Sequence, residues 1–171
     1  MNTSNLRKAC LFISILAPTY PAQVIADMFS WFKEYDVHLS PVVKGKITFN
    51  GNPVANVKVF RELDYDTSYN DDTSSNEMGQ FQFAEKNIKS RQPGNKLNQS
   101  TIRQVISADY QGKTYVLWYT STPSITPHAT FQRVLSNLNC ELTSPEEKFS
   151  LANIEHHDFP HGVVSICRWA D

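Results

Sequence analysis

Three histidines fall close together near the end of the chain, in the run Glu155-His156-His157-Asp158-Phe159-Pro160-His161. Imidazoles flanked by carboxylates are a zinc-type donor set. His156, His157 and His161 are therefore the candidates for a metal-dependent hydrolase. His157 and His161 have the i, i+4 spacing that puts two ligands on one helix face. Pro160 stands between them, lacks a backbone donor and clashes with the preceding turn, which argues against such a helix. The chain has no H-E-x-x-H and no cysteine pair at zinc spacing. The run therefore reads as an exposed loop ahead of the last strand, and no metal or cofactor is expected.

A second set of chemical groups lies in residues 64–78, D-Y-D-T-S-Y-N-D-D-T-S-S-N-E-M. The alternating D-x-[DN]-x-[DN]-G of a calcium loop is absent, so this stretch reads as a solvated, turn-rich loop. Tyrosine beside aspartate is a common interface composition. Tyr65, Asp66, Tyr69, Asp71 and Asp72 are accordingly the candidate binding surface. There is no G-x-S-x-G elbow, no Cys-His signature and no glycine-rich phosphate loop, so no catalytic residue is assigned and no enzyme is expected.

Cysteine usage and the N-terminus bear on the compartment. Arg7 and Lys8 precede the apolar run A-C-L-F-I-S-I-L-A, and small residues close the segment at Ala26. That order is the order of a secretory signal. Residues 1–26 read as a signal peptide and 27–171 as one β-sandwich domain with a C-terminal extension. The apolar run is shorter than the roughly 20 residues a membrane-spanning helix needs, so no transmembrane span is expected. Cleavage removes Cys10 and leaves Cys140 and Cys167, an even pair that favours a disulfide in an exported chain. Such a bridge contributes about 3–4 kcal/mol on the chain-entropy account. Lys and Arg number 16 against 17 Asp and Glu, a formal net charge of -1, with no basic stripe, so nucleic acid is not an expected partner.

The elements that carry these groups read mostly as strands. Residues 27–35, rich in aromatics, suggest a short N-terminal helix. Val43, Gly45, Ile47 and Phe49 alternate with Lys44, Lys46 and Thr48, the period of a half-buried strand. Asn50-Gly51 supplies a tight hairpin turn, and Val57 and Val59 continue the apolar face after Pro53. Residues 79–83 (G-Q-F-Q-F) form a compact strand. Residues 101–110 and 113–120 flank the turn Gln111-Gly112. Residues 122–130, with Pro123 and Pro127, read as irregular. Residues 135–142 read as a strand with Cys140 inward, and 162–169 as the last strand.

The stretch from Val43 to Phe83 resembles the carboxypeptidase regulatory-like, or transthyretin-like, β-sandwich repeat. The residues that carry the resemblance are Gly45-Lys46-Ile47, Asn50-Gly51-Asn52-Pro53-Val54, Val57-Lys58-Val59 and Gly79-Gln80-Phe81-Gln82-Phe83. The whole chain also resembles a family of short exported bacterial proteins of unknown function. Asn56 stands where the repeat often has glycine, and the acidic residue usual before the later glycine is displaced in Asn76-Glu77-Met78-Gly79. The resemblance implies a transthyretin-like (prealbumin-like) antiparallel β-sandwich, to which the spacing in 27–35 adds the short N-terminal helix. The enzymatic branch of that group, the hydroxyisourate hydrolases, ends in Tyr-Arg-Gly-Ser. This chain ends in Cys167-Arg168-Trp169-Ala170-Asp171, so that activity does not carry over. The expected function is a non-catalytic periplasmic or cell-envelope protein that recognises another protein. The alternatives are an immunity protein that neutralises a secreted toxin, and the hydrolase built on His156, His157 and His161.

Overall fold

Asn50 (φ 51°) and Gly51 (φ 77°) both occupy left-handed backbone and turn β2 (Val43–Phe49) onto β3 (Asn52–Pro53), so that Phe49 faces Asn52. Positive φ at both turn positions matches the right-handed twist of the strands, and Asn-Gly adopts it at little cost. Gln111 and Gly112, at φ 51° and 75°, make the same turn between β8 (Ile102–Tyr110) and β9 (Lys113–Thr122). Asn56 sits at φ 58°, so asparagine fills a left-handed position of the kind the resemblance gives to glycine. Gly79 is fixed by space as well as by its φ of 75°, since a Cβ there would lie 2.3 Å from the Ile47 carbonyl oxygen. Asn76 Oδ1 shapes the approach to Gly79, accepting from Met78 N (3.0 Å) and Gln80 N (2.9 Å).

The computed structural model describes residues 33–94 and 100–169. The signal peptide expected over 1–26 and most of the helix expected over 27–35 lie outside the described residues. Tyr35 opens a strand instead, β1 (Tyr35–Ser40). The other elements are β4 (Lys58–Asp64), β5 (Ser68–Ser74), β6 (Gln80–Phe83), β7 (Lys86–Ser90), α1 (Ala129–Leu135), β10 (Leu138–Glu141), β11 (Glu147–Leu151) and β12 (His161–Ser165). The larger sheet is antiparallel, in the order β11-β12-β9-β8-β4-β5. In the smaller sheet β2 pairs in parallel with β10 and antiparallel with β6 and β3. One core joins Ile47, Phe81 and Leu138 of the small sheet to Val59, Ile106 and Trp118 of the large one, a sandwich-like arrangement. β1 pairs with β7, and Val37 and Leu39 from it meet Leu63 and Ile102 in a second apolar cluster. Among the described residues no helix is long and apolar enough to cross a membrane.

Several stretches differ from their sequence reading. Residues 64–78, expected as a solvated loop, contain β5, which pairs with β4 from Lys58↔Ser74 to Asp64↔Ser68. Its sequence lacks apolar alternation, and it is held to β4 by a seven-residue backbone ladder to which Arg61–Asp71 and Lys58–Asp72 add ion pairs. β7 and β11 are further strands that the sequence reading does not assign. The strand expected over 135–142 divides into the end of α1 and β10. In α1, Phe131, Val134 and Leu135 fall at helical spacing and are buried. A bulge opposite Ile106 and Ser107 skips Leu117, and both Leu117 and Trp118 are buried.

The C-terminal tie is dense. Cys140 on β10 forms a disulfide with Cys167, just beyond β12. Asn139 and Arg168 beside them exchange backbone hydrogen bonds of 2.7 and 2.8 Å. The next residue, Glu141, reaches the Asn50-Gly51 turn. Its carboxylate accepts from Asn50 N (3.0 Å), Gly51 N (2.9 Å), Thr48 Oγ1 (2.8 Å), Thr143 N (3.1 Å) and Thr143 Oγ1 (2.6 Å).

Candidate functional site

Three chain segments bring His128, Glu155 and His161 together. His128 ends the irregular segment after β9 and is the N-cap of α1, with extended backbone. His161 is the first residue of β12. Glu155 lies in the connection between β11 and β12. Buried Asn153 shapes that connection, with Oδ1 accepting from His156 N (3.0 Å) and Nδ2 donating to Phe159 O (2.9 Å). Thr130 Oγ1 donates to Ala152 O at 2.6 Å and holds the loop against the start of α1. In that position Glu155 Oε1 accepts from Ala129 N at 2.8 Å, and Oε2 lies 3.2 Å from His128 Nδ1.

The two imidazoles are 4% and 7% exposed, and their ring centres are 4.5 Å apart. Phe131 packs on His161 at 4.3 Å and walls the pair off from the core. Nε2 of His128 and Nε2 of His161 are both buried with no hydrogen-bond partner among the described residues. One donor atom from each of His128, Glu155 and His161 lies within 4.8 Å of the others. The Ala129 amide, aided by His128 and against the opposing effect of desolvation, holds the Glu155 carboxyl at about 2. Burial, and then the charge of His128, push His161 below its ordinary value, while Glu155 pulls the other way.

Of the sequence trio, then, only His161 joins the cluster, and as a buried strand residue rather than a loop one. His156 and His157 are exposed and stand outside it. His128 lies far from the histidine run and carries no ligand spacing in the sequence, and Glu155 reads there only as a flanking acid. The apolar spacing of Phe131, Val134 and Leu135 marks a helix whose N-cap is His128, and that is the signal that points toward it.

The acidic candidate surface gathers around β5. Tyr69 Oη donates to Asp66 Oδ1 at 2.8 Å, and Tyr65 and Tyr69 pack beside the second apolar cluster. Burial raises both phenols above their ordinary value. Asp71 takes a two-pronged contact from buried Arg61, 2.9 Å from Nε and 2.5 Å from Nη2. Asp72 takes Lys58 Nζ at 2.8 Å. Successive strand residues face opposite sides, so Asp71 and Asp72 do not form one patch. The charges of these two aspartates are each matched by a cation within the chain.

The outer face of the small sheet is different. Lys44 and Lys46 project from β2, Gln80 and Gln82 from β6, and Asn139 from β10, around an open groove of about 520 Å³. Neither lysine has an ion pair or hydrogen bond among the described residues, and both are exposed.

No curated protein and no solved structure matches the chain. Residues 43–145, most of both sheets together with α1 and β10, match the family model described as Domain of unknown function (DUF6795), and the chain belongs to that family.

Proposed function

We propose that the protein is an exported, non-catalytic binding protein that recognises another protein through the outer face of its small sheet. In this reading a transthyretin-like sandwich serves as the scaffold. The observation that carries it is the pair of unmatched lysines, Lys44 and Lys46, in a groove otherwise lined by uncharged residues. The aspartates of β5 are spent on Arg61 and Lys58, so they offer a partner little charge. Two free ammonium groups on a rigid strand favour an acidic partner surface, each exposed pair adding up to about 1 kcal/mol and more to the encounter rate. The disulfide supports export, because thiols stay reduced in most cytosols. An immunity protein is the narrower case, and the identity of the captured protein distinguishes it.

The test is capture from an envelope extract by the immobilised chain, with the retained protein identified by mass spectrometry. The expected result is one salt-sensitive partner whose retention falls about tenfold in the Lys44→Glu/Lys46→Glu variant and is unchanged in Asp72→Asn. Equal retention by the lysine variant, or no retained protein, overturns the reading.

A further inference from the structure

We propose that His128, Glu155 and His161 bind one zinc-class divalent transition-metal ion, which ties the start of α1 to the start of β12. The function proposed above does not require this site. Two imidazoles and a carboxylate are a donor set suited to zinc, cobalt, nickel or copper. They discriminate against magnesium and calcium, which prefer oxygen alone.

His128 lies 27 residues before Glu155, so its meeting with Glu155 and His161 is not an accident of sequence proximity. Both imidazoles are buried, their ring centres are 4.5 Å apart, and each leaves Nε2 without a partner among the described residues. A buried ring nitrogen left unmatched costs about 1–3 kcal/mol, and two adjacent ones need a common explanation. A shared cation supplies it. Glu155, the exposed member, lies on the solvent side and gives an ion its route in.

The spacing is close to what an ion needs. Bonds of about 2.0–2.2 Å in a tetrahedron hold donors roughly 3.3–3.5 Å apart. One donor atom from each of the three residues lies within 4.8 Å of the others. The remaining closure can come from Glu155, whose loop is exposed, while the two rings stay packed against Phe131. Three protein ligands leave a fourth position for water.

The experiment uses the full chain with its disulfide intact, stripped by a chelator and dialysed against zinc or cobalt. The expected result is about one equivalent of zinc per chain, a melting temperature that rises with zinc, and a visible cobalt spectrum with nitrogen and oxygen ligands. Glu155→Ala should weaken zinc binding at least about tenfold, and His161→Asn should abolish it. His156→Ala with His157→Ala should bind as the wild type does. The proposal is overturned if the wild type retains less than about a tenth of an equivalent, in which case bridging water is what satisfies the two ring nitrogens. It is also overturned if the His156/His157 variant loses the metal. Should His161→Asn not fold, Glu155→Ala decides alone: unchanged affinity refutes the site.

Discussion

Glu141 and Glu155 each reach across the fold to the backbone of another element, and each carboxyl is held at about 2. Burial pushes Glu141 upward, and hydrogen bonds from Thr143, Gly51 and Thr48 outweigh it. Every donor it meets is a backbone amide or a hydroxyl, and through them the carboxylate locks β10 to the hairpin turn of β2. Glu155 has one such amide, from Ala129, and beside it two buried rings with nitrogens to spare. One carboxylate closes its surroundings and the other leaves them open. A low carboxyl value alone therefore does not mark a binding site. The difference lies in what remains unmatched once the carboxylate is satisfied. The family-matched segment, 43–145, contains Glu141 and all its donors. It contains His128, while Glu155 and His161 lie beyond it.

The largest effect should come from breaking the tie next to the closed region. Replacing Cys140 and Cys167 with serine opens a loop of 27 residues and should cost about 3–4 kcal/mol by denaturant titration. Because Glu141 follows Cys140, the Asn50 and Gly51 amides should exchange faster in that variant, while the Ala129 amide keeps its protection. A loss below about 1 kcal/mol, or equal deprotection at both places, would mean that the bridge does not support the clamp.

Next in size is the clamp itself. Glu141→Ala removes the acceptor of three amides and two hydroxyls and should destabilise by about 2–3 kcal/mol, since charge-assisted hydrogen bonds are among the stronger ones. Glu155→Ala removes one helix-start acceptor and should cost about 1 kcal/mol in metal-free protein. Equal losses from the two substitutions would erase the contrast between the regions.

The closed region was far more legible in the sequence than the open one. Asn50-Gly51 and Gly79 announce themselves because turn chemistry is local: the residue type and its backbone angle sit at the same position. Cys140 and Cys167 were readable by count. Glu141 was not singled out, because its donors come from a turn about 90 residues away. β5 was hidden because its stability rests on partners in β4, such as Arg61 with Asp71, and leaves no apolar period. At the open site the argument from Pro160 against a helix holds. Yet His161 meets His128 through strand and N-cap geometry, which no spacing rule encodes. The visible histidine run drew attention to His156 and His157, and the fold uses neither in the cluster.

The smallest expected effect is in the acid range, and it separates the two carboxylates by titration. A carboxyl whose folded value lies below its ordinary 4.5 stabilises the fold above that value, and the gain is lost as pH falls toward the folded value of about 2. The unfolded chain takes up the proton first, so stability must fall as pH drops from about 5 to 2. Both glutamates contribute in that window and in the same direction. Glu141→Gln cannot titrate, so its urea midpoint should start lower at pH 6 and decline less steeply than the wild type's. The remaining slope should include the contribution of Glu155, and adding Glu155→Gln should flatten it further. Chelator in every sample keeps metal release out of the slope. If Glu141→Gln shows the full wild-type slope, the hydrogen bonds at the hairpin turn do not favour the ionised carboxylate, and Glu141 is not the clamp its geometry describes.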